Sequence, residues 1–568
     1  MLGRRKGLFL APVLVAVLLV GAVAGGCTSE NTPATSGKPT TSSSAPASPS
    51  APAPSAQQPA GELKIAFNSL SKEVLDPSLD SGPLTKPIMG PMYDYLVGVT
   101  VNGVFSKDYG LARDWKVEHS ATNSVYTFDL RQGVKFHDGT EVTAQDVKFS
   151  LEYYTRKGSR SGNFANLKST IDRIEAPSKY QVVVYTTKPY AFLLTDLSLH
   201  GQGEGQMLPK DYIEKNGTEY FNKHPVGTGP YKFKDQKQGT SITYEAIDYQ
   251  HWLQQPKYKT VTLMLSPEES TRIAMLKTGE ADAINSISTA NISGLESGGM
   301  TVFSKKGGAT FLLLLAQTWD ENSYLNDIRV REALNLVVDR QSIVDQIFKK
   351  RGTPLGAWYG SWAYGYKAVP LYDYDPAKAK SLLQQAIKDK GWTKVEIMLY
   401  QYPYARIGET EAKLTVEAIG GMWQKALGDL INVQIVPAAE YAVLRQKMID
   451  KMAANSAGLL GASNAAFWGT SWQSTSTSKS NYSLVKTPEL DDLILNKLGG
   501  ETDIEKIGQI QYTIATYLHD NYFNVPLFET DELWAGNPKK IPQWDLGKFA
   551  QDPNLRDVIV QGRAFPAQ

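Results

Sequence analysis

The chain changes character at residue 60, and that change decides how much of it can fold. From Thr28 to about Ala60 it is dominated by Ser, Thr, Pro and Ala. Such a stretch buries too little apolar surface to offset the entropy of ordering it. Its prolines favour extended polyproline segments, so residues 28–60 read as a semi-stiff tether, reaching roughly 100 Å at ~3.1 Å per residue. The only cysteine, Cys27, stands before that tether. Whatever folds after Gly61 therefore folds without a disulfide and must rely on its own cores. The chain has 568 residues, and at ~100–200 residues per domain about three folded units are expected.

The first residues are a targeting segment. Arg4, Arg5 and Lys6 precede an apolar run from Leu8 to Val20, and Ala24, Gly25 and Gly26 close it. This is the order of a signal peptide, and the run is shorter than the ~20 residues of a comfortable membrane span. The adjacent arginines invite a twin-arginine reading, but no further element of that signal is present. Cys27 directly follows the small residues and resembles the cysteine of a bacterial lipobox, with Ala24 where that signal usually has leucine. The resemblance implies that the thiol carries a diacylglycerol and that cleavage leaves Cys27 as the first residue. Residues 1–27 are then signal peptide and lipidation site, and the mature chain is tethered to the outer face of the cytoplasmic membrane. No thiol is left over for a metal site.

Past Gly61 the signals mix. Leu63, Ile65 and Phe67 alternate with Glu62, Lys64 and Ala66, the period of a half-buried strand. Val125–Leu130 and Tyr180–Tyr185 read as further strands. Thr143, with Asp146 three residues on, reads as a helix start. Val330, Ala333, Leu334, Val337 and Val338 share one helical face, with Arg331, Glu332, Asp339 and Arg340 expected outside it. The fold class is α/β, without repeats or heptads. Basic and acidic residues number 59 and 58, so the basic surplus of a nucleic-acid binder is missing.

Five segments then occur in a recognisable order. They are Leu130-Arg-Gln-Gly-Val-Lys-Phe-His-Asp-Gly-Thr140 continued by Thr143-Ala-Gln-Asp-Val147; Pro225-Val-Gly-Thr-Gly-Pro-Tyr231; Leu276-Lys-Thr-Gly-Glu-Ala-Asp282; Asp327-Ile-Arg-Val-Arg-Glu-Ala-Leu-Asn335 leading to Asp339-Arg340; and Tyr374-Asp375-Pro376. Together they resemble the family 5 extracellular solute-binding proteins, the oligopeptide, dipeptide and nickel receptors of ABC importers. The resemblance implies a two-lobed, periplasmic-binding-protein-like clamshell of mixed sheets flanked by helices, with ligand held between the lobes. The main domain of lobe 1 is expected at 61–98 and 218–310, an inserted subdomain at 99–217, lobe 2 at 311–528, and a return to lobe 1 at 529–568. The landmarks themselves read as structural: Asp138-Gly139 a turn, Thr143 with Asp146 a cap, and Gly227 and Gly229 sites of unusual backbone angles.

Enzyme chemistry competes poorly. Ser69–Lys72 and Ser476–Lys479 satisfy Ser-x-x-Lys, and Lys277-Thr278-Gly279 satisfies Lys-Thr-Gly, but the Ser-Asp-Asn element of penicillin-recognising hydrolases is missing. Gly227-Thr-Gly229 lacks the Lys-Ser/Thr end of a phosphate loop. No two of the six histidines are spaced for one helical face. We expect no catalysis, no cofactor and no resident metal.

Two aromatic clusters are candidate ligand surfaces: Trp358 and Tyr359 with Trp362, and Phe467-Trp468-Gly-Thr-Ser471-Trp472. The second resembles the family's Trp-x-x-Asp run, whose aspartate pairs with a peptide's amino terminus. Here Ser471 holds that position. A buried ammonium without a carboxylate partner costs several kcal/mol, which favours a neutral or blocked ligand there. Asn68 and Ser69, at the end of the first strand, are further lining candidates. The expected partners are a peptide or other small solute, an ABC permease with its ATPase, and the membrane through the lipid anchor. No nucleic acid is expected, and the protein is expected to be a monomer. Alternatives are a receptor for an oligosaccharide or other neutral solute, and an envelope sensor or scavenger without a permease.

Overall fold

The computed structural model describes residues 59–541 apart from the short stretches 82–84, 100–104, 162–163, 200, 202, 254, 361–365, 402–406, 463–484, 499–500 and 502. The first strand runs Glu62–Phe67. It pairs in parallel with Thr260–Leu265 on one side and with Ala283–Asn285 on the other. Leu63, Ile65 and Phe67 enter one core cluster while Ala66 enters another. Ala66 was expected on a polar face. It is buried because helices and loops cover both faces of a parallel sheet.

Among the described residues, eleven strands form a single sheet. From one end it runs Ile431–Val436, Val395–Tyr400, Ser456–Ala462, Thr301–Leu315, Asn524–Gly536, Ala283–Asn285, Glu62–Phe67, Thr260–Leu265, Ser241–Ala246 and Tyr231–Lys237, with Gly352–Pro354 also pairing on Asn524–Gly536. Thr301–Leu315 and Asn524–Gly536 are long, 15 and 13 residues, and antiparallel. One end of this pair lies beside Ala283–Asn285, and the other beside Ser456–Ala462 and Gly352–Pro354. Between the ends the register breaks: Lys305 faces Glu532, and the next pair is Ala309 with Thr530. Lys306, Gly307 and Gly308 thus bulge opposite Asp531, with Gly307 at φ +59°. A bulge of this kind bends a strand and raises its twist.

The architecture is that of a two-lobed α/β clamshell, and the bulge lies on the strand pair that joins the two ends of its large sheet. Beyond the bulge, alternate residues of Thr301–Leu315 feed two cores. Phe311, Leu313 and Leu315 pack under the helices Ile328–Leu336, Pro376–Lys390 and Glu409–Leu427. Leu312 and Leu314 pack on the opposite face with the helix Ile504–Asp520. A separate four-stranded antiparallel sheet orders as Ala112–His119, Ser124–Leu130, Gln181–Thr186 and Ile171–Ser178. It has its own core, including Tyr126, Phe128 and Val182, beneath the helix Ala144–Thr155.

The landmarks are structural, with two changes of reason. Asp146 accepts from Thr143 N at 2.9 Å and Thr143 Oγ1 at 2.8 Å, as a start signal should. His137 locks the first landmark to the second: Gly227 N donates to Nδ1 at 3.1 Å, and Nε2 sits 2.9 Å from Gly229 O. That pairing makes Nε2 the protonated nitrogen, and burial pulls the imidazole down to about 4. Gly227 and Gly229 are glycines for a different reason than expected. Their φ angles are ordinary, but an added Cβ would lie 2.1 Å from Met92 O and 2.4 Å from Pro91 O respectively. The second change concerns Arg331 and Arg340, expected outside the helix face and found 5% and 4% exposed. Arg331 donates to Leu325 O, Asn326 O and Asn521 O at 2.8, 2.8 and 3.1 Å. Arg340 donates to Pro526 O at 2.6 Å and Asn335 Oδ1 at 3.0 Å. Both guanidiniums are spent on carbonyls and fasten the start of Asn524–Gly536 to lobe 2.

Candidate functional site

In an open α/β sheet the ligand crevice lies at the carboxyl ends of the parallel strands. In lobe 1 three such ends coincide. Asn68 N donates to Asn285 Oδ1 and Asn285 Nδ2 donates to Asn68 Oδ1, each at 3.0 Å, so the two amides hold one another across neighbouring strands. Behind them Arg272, 1% exposed, reaches Ser266 O and Asn285 O at 2.8 and 3.2 Å and Ser286 O at 3.1 Å. Burial pulls that guanidinium below its ordinary range. Glu269, on the same helix, accepts from Ser288 N at 2.7 Å, Ser288 Oγ at 2.6 Å and Asn291 Nδ2 at 2.8 Å. One helix thus fixes the strand ends through backbone groups and leaves the asparagine amides at the edge.

Ser69 lies one residue on, where its Oγ accepts from Ser71 N at 3.2 Å. Lys72, the lysine of the Ser-x-x-Lys pattern, is ion-paired with Asp80 at 3.5 Å. In the Lys-Thr-Gly pattern, Thr278 donates to Ala274 O of its own helix at 3.0 Å and Gly279 is its left-handed cap. Both motifs are absorbed by local structure. Ser476–Lys479 lies outside the described residues.

In lobe 2, Trp358 and Tyr359 are 0% and 1% exposed and belong to the core cluster of Leu312 and Leu314. Tyr359 donates to Lys367 O at 2.8 Å and meets Tyr366 edge-on at 5.2 Å. Burial pushes its phenol up to about 12. Ala191 and Phe192, from the region of the four-stranded sheet, pack on this same cluster, so the two lobes touch here. Trp362, Phe467, Trp468, Ser471 and Trp472 lie outside the described residues, as does Cys27.

The lobes touch at a second place. Thr289 N, one turn beyond Asn285, donates to a carboxylate oxygen of Glu411, and Thr289 Oγ1 donates to Ile347 O at 3.2 Å. Sequence reasoning missed Asn285, Glu269, Arg272 and Glu411. Asn285 was within reach, because it ends the strand that follows the Leu276–Asp282 landmark. The others carry no local signal. Among the described residues no group of three or more His, Cys, Asp or Glu side chains is placed to hold a metal ion, and no helix is long and apolar enough to cross a membrane.

The paired amides of Asn68 and Asn285 thus stand at the carboxyl ends of parallel strands, the edge at which an open α/β sheet takes its ligand. Residues 108–483 match the family described as bacterial extracellular solute-binding proteins, family 5 middle. The chain belongs to this family. It is 28% identical over 377 residues to the dipeptide-binding protein of Escherichia coli K12, covering 62% of this chain and 68% of that one. Among solved structures, the oligopeptide-binding protein AppA of Bacillus subtilis, in complex with a nonapeptide, superposes with a TM-score of 0.71 at 21% identity, over 88% of this chain and 98% of that one. NikA of Staphylococcus aureus, in complex with Ni(L-His)2, gives 0.69 at 21% identity, over 87% and 99%. The solved structures share the fold, and membership places the chain among extracellular solute-binding proteins.

Proposed function

We propose that this chain is the extracytoplasmic receptor lipoprotein of an ABC importer, capturing a peptide or peptide-like solute by lobe closure and delivering it to a permease and its ATPase. The observation that carries the reading is the strand pair Thr301–Leu315 and Asn524–Gly536. It runs through both lobes, and its register breaks twice, at Lys306–Gly308 and between Phe311 and Leu312; the first break, which leaves three residues unpaired, is the hinge in this reading. The peptide-binding relatives support the choice of ligand class. In this reading lobe 1 comprises 61–98, 218–310 and 529–568 with its insert at 99–217, and lobe 2 comprises 311–528. Asn68 and Ser69 line the crevice from lobe 1. Trp362, Phe467, Trp468, Ser471 and Trp472 line it from lobe 2, whereas Trp358 and Tyr359, expected there too, are packed in the lobe 2 core and serve as its support. Cys27 carries the lipid, and the receptor works as a monomer on the outer face of the cytoplasmic membrane.

A second reading is favoured by Ser471. With a serine where the family's aspartate would meet an ammonium, a ligand without a free amino terminus suits the site: an oligosaccharide or a blocked peptide. Mass spectrometry of the solute carried by protein lacking residues 1–60 separates the two. A free-amine peptide supports the first reading, and a neutral solute supports the second. A covalent serine adduct overturns both.

A further inference from the structure

The second contact between the lobes holds a chemical oddity. The turn Ser288–Asn291 leaves the carboxyl end of Ala283–Asn285 in lobe 1. The helix Glu409–Leu427 follows the carboxyl end of Val395–Tyr400 in lobe 2. These are crevice-facing ends, and they meet closely enough that an added Cβ at Gly408 would lie 1.9 Å from Ser288 Oγ. Two carboxylates converge on this turn. Glu269 takes Ser288 N and Oγ, while Glu411 takes Thr289 N. They are 8% and 4% exposed, and among the described residues neither is ion-paired. The other charged groups around them are Glu268, Arg272 and Glu409. Arg272 spends its guanidinium on backbone carbonyls, and on the Ile347 side Lys349 and Lys350 are exposed to water. Burial, reinforced by the Glu269 charge, raises the proton affinity of Glu411 in this closed arrangement, against hydrogen bonds from Thr289 that lower it.

We propose that Glu411 and the Ser288-Thr289 turn form a proton-gated clasp, so that the clamshell closes more readily when Glu411 carries a proton and holds its solute more tightly in acid than at neutral pH. With the lobes apart, Glu411 is hydrated and titrates as an ordinary carboxylate. With the lobes together, it is buried beside Glu269 and binds a proton more tightly. Closure therefore takes up a proton and is favoured as pH falls toward the closed-state value. Above that value, closing must bury a charge next to a like charge. A protonated Glu411 still accepts from Thr289 N through its carbonyl oxygen, so the clasp survives the proton and loses only the repulsion.

This rests on lobe closure as the capture motion, and the test reads the two separately. Hydrogen exchange of the full chain, without added solute and corrected for the intrinsic effect of pH, is followed at Thr289, whose amide is bonded to Glu411, and hydroxyl-radical footprinting at Ala191-Phe192, whose side chains pack on lobe 2; they report the clasp and the opposite contact. The expected result is that Thr289 protection rises several-fold between pH 7.5 and 5.5 in the natural protein. In Glu411→Gln, which keeps an acceptor and removes the charge, it is high at both. Glu269→Gln, which relieves the same repulsion from the other lobe, is expected to shift the rise to lower pH; it provides the test if the first variant does not fold. PH-independent protection of Thr289 in the natural protein overturns the clasp, as does lower protection in Glu411→Gln than in the natural protein at pH 7.5. If Ala191-Phe192 still opens and closes in that case, capture by closure stands without it. Absence of protection at both contacts sinks the closure reading itself.

Discussion

Gly408→Ala puts the closing motion under the most direct steric stress. The new methyl would sit 1.9 Å from Ser288 Oγ, 2.3 Å from Glu411 Oε2 and 2.7 Å from Ser288 Cα. The hydroxyl cannot swing aside freely, because it donates to Glu269 at 2.6 Å, and the Cα is backbone. Restoring ordinary contact of about 3.4 Å to that Cα requires the lobes to part by roughly 0.7 Å. Overpacking of this kind costs about 1–3 kcal/mol. The Glu411 carboxylate is the far end of a side chain in the same helix start and can turn away, so most of the cost falls on the contact with Ser288, which parts with the lobes. Solute affinity should therefore drop about 5- to 150-fold, with only a small change in the thermal stability of the solute-free protein. The assay is calorimetry with the solute that co-purifies, paired with a thermal melt. Gly421→Ala is the control: it lies in the same helix, its Cβ would meet nothing within 4 Å, and it should gain up to about 1 kcal/mol of helix stability. Unchanged affinity in Gly408→Ala would refute the reasoning, as would an equal loss in the control.

Other outcomes follow from the same structure. Arg340→Met strands the carbonyls of Pro526 and Asn335 and should destabilise lobe 2 by about 1–3 kcal/mol in urea unfolding; no measurable loss would mean the guanidinium is not holding the strand. His137 is held neutral with its imidazole at about 4, so it contributes stability that is full above the unfolded value near 6.5 and is lost as pH falls from there toward 4. The ceiling is about 3 kcal/mol, discounted because part of the ring keeps contact with water. His137→Gln should flatten the acid limb of a stability–pH curve, and an unchanged limb would remove His137 from it. Trp472→Ala should weaken solute capture in calorimetry while leaving the melt intact, and Ser471→Asp should shift preference toward free-amine peptides. Cys27→Ser should move the mature protein from the membrane pellet to the soluble fraction.

Local rules were readable along the chain, and encounters between distant segments were not. The Thr143–Asp146 start signal and the apolar stripe from Val330 to Val338 depend on neighbours a few positions away, so spacing alone revealed them. Arg331 and Arg340 looked like surface residues because the carbonyls that receive them belong to Asn521 and Pro526, nearly two hundred positions on. Ala66 looked like the polar side of a strand because period-two alternation says nothing about a second covered face. Asn68 was singled out from its place at a strand's end, and its pairing with Asn285 was not readable there. Glu269 and Glu411 were not singled out, because their meaning appears only when Ser288-Thr289 of one lobe lies against the first turn of a helix in the other. Gly227 and Gly229 were noticed for the right residue type, but their cause is the approach of Met92 and Pro91 and not a backbone angle.

The central claim is that this molecule captures a solute by bending at Lys306–Gly308 and closing two lobes. Small-angle X-ray scattering on protein lacking residues 1–60, stripped of solute and then reloaded with the solute it released, tests it most directly. The account predicts a larger radius of gyration when stripped, a smaller one when reloaded, and saturation at one solute per chain. Tight binding with an unchanged radius of gyration would contradict it.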